Sequence, residues 1–220
     1  MNANALHGIG MTSQRTRARM VERLGEMGIR NAAVLRAMAA VPRHVFVEEA
    51  LASRAYEDTA LPLGMGQTIS QPFVVARMIE LLLNGRTTPG KTLEVGAGCG
   101  YQAAVLAQLT TEVYAIERLG PLLEKAKASL RQLKQFNVRL KHADGQFGMP
   151  EAAPFDSIIV AAAGRQVPPA LLGQLAAGGR MVLPVGTTEQ YLSYIERTAE
   201  GFVETRLDAV RFVPLLAGTQ

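Results

Sequence analysis

Residues 91–101 read KTLEVGAGCGY. Leu93-Glu94-Val95 is a short strand-like run, followed by glycines at the alternate positions 96, 98 and 100 and then by an Ala-rich segment of helical character. The order predicts a strand, a tight turn and a helix. Glycines in such a turn permit positive φ and let backbone approach a ligand with no Cβ in the way, while the helix N-terminus offers unpaired amides. A small, partly anionic ligand is expected there.

Outward from this turn the pattern alternates. Strands are predicted at Thr92 to Val95, Glu112 to Ile116, Val138 to His142, Ser157 to Ala161 and Arg180 to Pro184. Helices fall between them at Tyr101 to Leu109, Pro121 to Phe136 and after Pro169. Such alternation implies an α/β fold, a doubly wound and mostly parallel sheet with helices on both faces and right-handed crossovers. Tyr191 to Arg197 and Phe202 to Phe212, separated by Ala199-Glu200-Gly201, read as an antiparallel hairpin closing the sheet.

Upstream lies a helical extension. Thr12 or Ser13 caps a helix carrying Met20, Val21, Leu24 and Met27 on one side and ending at Gly28. A second helix, Asn31 to Ala40, stops at Val41-Pro42, because the residue before proline is pushed out of the α region. A short helix at Glu48 to Ser53 precedes a long loop from Tyr56 to Gln71. Pro72 then opens a helix running to Asn84, with Ser70 or Gln71 as its cap. Loops of that length in compact domains are functional or disordered, and the apolar and Gly/Pro content here favours function. Residues 1–11 read as a flexible start and 12–220 as one domain. Within it, 12–84 supply the helices and active-site loop, and 85–220 supply the α/β core and last strands.

The chain has 220 residues, 48% hydrophobic and 19% charged, enough to bury a sizeable core. No apolar run is long enough to span a bilayer and the first ten residues lack a secretory pattern, so a cytoplasmic protein without membrane contact is expected. One cysteine, Cys99, allows no internal disulfide, and His7, His44 and His142 have no ligand spacing with it, so no metal is expected. Cys99 reads as a small filler in the turn. The net charge of +4 is modest, and Arg15, Arg17, Arg19 and Arg23 read as the solvated face of one helix, so no nucleic-acid partner is expected.

Spacing narrows the ligand. Tyr101 stands where a dinucleotide fingerprint needs its third glycine, and no phosphate-loop motif exists. The second strand ends in Glu117, about 20 residues beyond the turn, where a carboxylate can accept from both ribose hydroxyls. The third ends in Asp144-Gly145 at the same sheet edge. Gly96/Gly98, Glu117 and Asp144 thus meet where open α/β sheets bind ligands, and a nucleoside without pyrophosphate fits. Taken singly, Glu117 and Asp144 are equally readable as capping or surface acids.

This arrangement resembles the Rossmann-like class I S-adenosylmethionine-dependent methyltransferases. YEDTALPLGMGQTISQP, EVGAGCGYQAAVLA, VYAIER, HADG, FDSIIVAAA and RFVPL, spread from about Thr12 to Leu215, together resemble the protein-L-isoaspartate O-methyltransferase family. GQTISQP is the most specific piece. Ala97, Cys99 and Ala143 depart from the Thr, Ser and Gly often found there. The resemblance implies transfer of a methyl group from S-adenosyl-L-methionine, leaving S-adenosyl-L-homocysteine, to the free α-carboxylate of an isoaspartyl residue in a damaged peptide or protein. It assigns Ser70 and Thr68 to the reaction. Glu94, Gly96, Ala97, Gly98, Glu117, Asp144 and Gly145 go to the cofactor, and Gln67, Ile69 and Val213 to the peptide. A monomer with its final two strands exchanged relative to other class I enzymes is also implied. Ser70 has a plain alternative as cap of the helix at Pro72, and Val213 as a core residue. A methyltransferase of small molecules or nucleic acids, or a non-catalytic binding module, remain competing readings.

Overall fold

The computed structural model describes residues 8–220. Gly10–Thr12 form one turn of 3-10 helix, so the described part of the expected flexible start is locally structured, and residues 1–7 lie outside the described residues. Helix α1, Gln14–Glu26, is capped by Ser13, whose hydroxyl accepts from the Thr16 N–H, and buries Met20 and Leu24. Met27, expected on the same face, is exposed. Helix α2, Ala32–Ala40, begins at Asn31, whose side chain accepts from the amides of Ala33 and Val34, and ends before Val41-Pro42 as expected. Glu49–Arg54 is a 3-10 helix.

The predicted loop from Tyr56 to Gln71 is in part a hairpin. Strands β1, Leu61–Gly64, and β2, Gln67–Ile69, pair antiparallel, with Leu61 opposite Ile69 and Pro62 opposite Thr68. Leu61, Leu63 and Ile69 are buried, so alternation is present but is compressed into strands too short to register as a pattern. Gly64, Met65 and Gly66 all have positive φ and make the reversal. Helix α3, Pro72–Leu83, follows with Pro at its first position.

The core sheet contains β3 (Thr92–Val95), β4 (Val113–Glu117), β5 (Val138–His142), β6 (Phe155–Val160), β7 (Leu175–Gly186), β8 (Gln190–Thr198) and β9 (Gly201–Val210). Their spatial order is β5-β4-β3-β6-β7-β8-β9; the first five are mutually parallel, and β8 and β9 run antiparallel as the expected hairpin. The last two strands follow chain order, with β9 at the edge. β7 is much longer than the predicted Arg180 to Pro184.

Handedness sorts the connections. Helices α4 (Tyr101–Leu106) and α5 (Gly120–Gln132) join strands stepping one way across the sheet and so cover one face together with α1 to α3. After β5 the chain steps back past β3. The 3-10 segments Gly145–Phe147 and Pro150–Ala152 and the short helix α6 (Pro169–Gly173) then cover the other face, over Leu93, Val95, Ile158 and Met181. The direction reverses between β3 and β6, and the carboxyl ends of those strands open a crevice.

Candidate functional site

The chain leaves β3 through Gly96, Gly98 and Gly100, with φ of 86°, 55° and 87°. These values lie in the left-handed region, so the alternate glycines are a steric requirement of the turn. The amides of Gly96 and Ala97 both donate to the Ile116 carbonyl at 2.9 Å, Gly98 N–H donates to Glu117 Oε2 at 2.8 Å, and Gly100 N–H to the Ala97 carbonyl at 2.8 Å. The turn is therefore stitched to the end of β4, and these amides are already used. Cys99 is a buried filler, as read, and burial pushes its thiol up to about 11.

Beside the turn, the buried ionisable residues Glu94 and Glu117 are both acids. Glu94 is 1% exposed and lines the cavity, yet neither of its carboxylate oxygens has a partner among the described residues. Burial, helped by nearby Glu117, raises its pKa well above the ordinary carboxyl value. In the first turn of α4, Gln102 is also buried and its Nε2 is unpartnered. The cavity thus presents one buried acceptor group and one buried donor that a ligand must satisfy. Gln102 was absent from the sequence reading, although a lone amide on an Ala-rich helix start was a visible signal.

Glu117, at the end of β4, accepts from Gly98 N–H at 2.8 Å through one oxygen and from Leu119 N–H at 2.9 Å through the other. Each oxygen keeps capacity for a further donor. Asp144 is placed differently from the expectation. Its carboxylate caps the Gly145–Phe147 turn, accepting from Gln146 N–H at 2.9 Å, and accepts from Gly218 N–H at 2.6 Å, and the residue does not line the cavity. The capping alternative therefore describes Asp144. Gly145 does line the cavity, where an added Cβ would lie 2.4 Å from Val95 Cγ1.

Across the crevice stands the hairpin. Gln67, Thr68, Ile69 and Ser70 line the same cavity as Gly96, Ala97, Gly98 and Glu117. Ile69 is buried in the core between β2 and α3, while Thr68 is exposed and Ser70 half-buried. Neither hydroxyl has a hydrogen-bond partner among the described residues. Ser70 does not cap α3. The cap residue is Gln71, which makes no side-chain bond there, and the Phe73 N–H is taken by Asp58 Oδ1 at 2.7 Å.

The hairpin's root is pinned by buried charge. Arg43 is fully buried, donates through Nε to the Ala55 carbonyl at 2.8 Å, and lies 4.8 Å over the ring of Tyr101, which lines the cavity. Arg23, read as part of a solvated face, donates to the Tyr56 carbonyl at 2.6 Å. His44 Nδ1 meets the Tyr56 hydroxyl at 2.8 Å and His142 Nε2 the Arg118 carbonyl at 2.9 Å, so both histidines have structural bonds. Asp58 and Arg43 were missed because their partners are set by tertiary folding, not by local spacing.

The chain's end closes the site. After β9, the side chain of Gln190 accepts from Phe212 N–H at 2.6 Å and donates to the Phe212 carbonyl at 3.1 Å, imitating one more pair of the β8–β9 ladder. Ala163, just past β6, then donates to the Val213 carbonyl and accepts from Leu215 N–H, both at 2.8 Å. Gly218 reaches Asp144 beyond β5, and Gln220 bonds Arg118 and Gly120 beyond β4. The tail is a strap over the carboxyl ends of the strands, with Val213 to Leu216 lining the cavity. Among the described residues no cluster of His, Cys, Asp or Glu could hold a metal ion, and no helix is long and apolar enough to cross a membrane.

Comparison with known proteins agrees with this geometry. The family described as Protein-L-isoaspartate(D-aspartate) O-methyltransferase (PCMT) matches residues 15–220. A protein-L-isoaspartate O-methyltransferase of Dechloromonas aromatica strain RCB is 86% identical, covering 98% of this chain and 100% of the relative. One from Methylobacillus flagellatus is 60% identical over the whole of both chains. Among solved structures, a Plasmodium falciparum protein-L-isoaspartate O-methyltransferase in complex with S-adenosyl-L-homocysteine is 26% identical, with a TM-score of 0.81 over 91% of this chain and 98% of that one. With a family pattern covering nearly its whole length, and relatives of that identity, the chain belongs to the protein-L-isoaspartate O-methyltransferase family.

Proposed function

We propose that this protein is a repair methyltransferase, methylating the free α-carboxylate of L-isoaspartyl residues with S-adenosyl-L-methionine. The observation that carries the reading is one cavity lined both by the glycine turn and by Gln67 to Ser70. The residues present fit the cofactor: an amino-acid tail bears an ammonium and a carboxylate, matching the unpartnered Glu94 carboxylate and Gln102 amide. When bound, the cofactor supplies an electrophilic methyl group on a sulfonium. Gly96, Ala97, Gly98 and Gly145, which line the cavity, would let backbone approach it, and Glu117 would accept from its ribose hydroxyls. Asp144 acts indirectly, by holding Gly218 of the strap.

The acceptor needs little chemistry from the protein. An α-carboxylate with pKa of about 3.5 is ionised at neutral pH, so no general base creates the nucleophile. Catalysis then rests on alignment and exclusion of water. Thr68 and Ser70 donate neutral hydrogen bonds that orient the carboxylate; a cation in their place would hold it more tightly while lowering its nucleophilicity. Their unpartnered hydroxyls support this role. Gln67, Ile69 and Val213 contact the peptide, Ile69 through its backbone because its side chain is buried. Once released, the methyl ester is a better electrophile than a carboxylate, because methanol can leave from it. The adjacent backbone amide nitrogen attacks it, methanol leaves, and the resulting succinimide hydrolyses in part to normal aspartate.

The finer reading is a monomer acting in the cytoplasm on proteins and not on nucleic acid, built as one domain with 12–84 presenting the acceptor and 85–220 the donor. A lone buried thiol and the modest net charge of +4 support it. The test is incubation with methyl-labelled cofactor and paired peptides differing only in Asp versus isoaspartate. Label is expected on the isoaspartyl peptide alone; equal labelling of both, or none, would sink the reading.

A further inference from the structure

Next to the cavity lies an outer groove that shares Thr68, Ser70, Ala161 and Val213 with it and continues over Val210 and Arg211. The shared residues make the groove the way out for a peptide whose acceptor carboxylate sits at Ser70. Arg211 is the only charged residue lining this groove, it is exposed, and its guanidinium has no hydrogen bond or ion pair among the described residues. Arg77, near the same edge strand, is by contrast paired with Asp208 at 3.5 Å. The backbone beside Arg211 is fixed, because Gln190 clamps both backbone groups of Phe212.

We infer that Arg211 is a specificity residue that reads an acidic side chain flanking the isoaspartyl residue. Arg211 lines the outer groove and not the inner cavity, which keeps its charge away from the reacting carboxylate. A guanidinium without a carboxylate of its own, facing a groove that is otherwise neutral, attracts an anionic neighbour and repels a cationic one. The effect enters through peptide binding, so it appears in KM more than in kcat. This inference rests on the isoaspartyl reading of the cavity.

Its test uses isoaspartyl peptides identical except for Glu, Gln or Lys at the residue preceding or following the isoaspartate, with kcat/KM measured for the full chain. On at least one side the order Glu above Gln above Lys is expected, with steps of about two- to five-fold that shrink as salt rises. Arg211→Gln should flatten the series and Arg211→Glu should reverse it. Equal rates for the three peptides in the unaltered protein would overturn this inference while leaving the isoaspartyl activity standing; no methylation of any of them would sink the underlying reading. A loss in Arg211→Gln that is equal for all peptides would place the guanidinium on the acceptor carboxylate itself, and would overturn the inference too.

Discussion

Glu94 is the buried acid of the cavity where the donor is proposed to bind. Its carboxyl is buried, unpartnered and raised in pKa by desolvation first and by Glu117 second. A raised folded pKa favours the protonated acid. Its contribution to stability is therefore fully present below the unfolded value of about 4.3 and is lost as pH rises through the raised one. A cationic group from the ligand reverses the preference and draws the proton off. Binding of S-adenosyl-L-homocysteine should release protons at pH values below the raised pKa, seen by calorimetry in buffers of different ionisation enthalpy. Glu94→Gln should abolish that release and weaken binding about ten-fold or more; unchanged proton release in the variant would contradict this role. At this scale the sequence was informative where a residue's surroundings are local: Glu94, Gly96, Gly98 and Glu117 belong to adjacent strands and their turns. For Asp144 the local capping role was open to reading, but its second bond was not, since Gly218 lies 74 residues away.

The element proposed to deliver the acceptor is the β1–β2 hairpin running into α3. Its geometry is enforced from outside: Asp58 takes the first exposed amide of α3 at Phe73, and Arg43 ties Ala55 to the ring of Tyr101. That arrangement leaves the Ser70 hydroxyl without a capping duty. Asp58→Ala should cost about 1 kcal/mol in stability, read from urea melts, and raise KM for the isoaspartyl peptide more than it changes affinity for S-adenosyl-L-homocysteine. An equal loss in both would mean that Asp58 supports the whole domain and not the hairpin. Helices such as α2 and α3, with Asn31 or Pro72 at their starts and apolar residues at helical spacing, were readable to within a residue or so. The hairpin was not, because strands of four and three residues carry too little periodicity. What gave it away as important was the length and composition of the apparent loop.

Across the whole molecule, direction of strand travel explains where the site lies. Steps from β3 to β5 put α4 and α5 on one face, the return to β6 and β7 puts α6 on the other, and the crevice opens at the reversal. Sequence alternation was enough to foresee that parallel sheet and its closing hairpin. It gave no sign that residues 212–220 return across the strand ends, bonding in turn to Gln190, Ala163, Asp144, Arg118 and Gly120. None of those contacts has a local motif. The strap, the glycine turn and the hairpin all border one cavity, and in the function proposed above the turn with Glu117 holds the donor while the hairpin presents the acceptor. Titration of S-adenosyl-L-homocysteine, together with isoaspartyl-peptide turnover, in Ser70→Ala and Glu117→Ala tests that division most directly. Ser70→Ala should lower kcat about 10- to 100-fold with affinity for the product cofactor kept. Glu117→Ala, which strands the amides of Gly98 and Leu119, should weaken that affinity at least about ten-fold. Loss of both properties together in both variants would contradict a cavity with separate donor and acceptor ends.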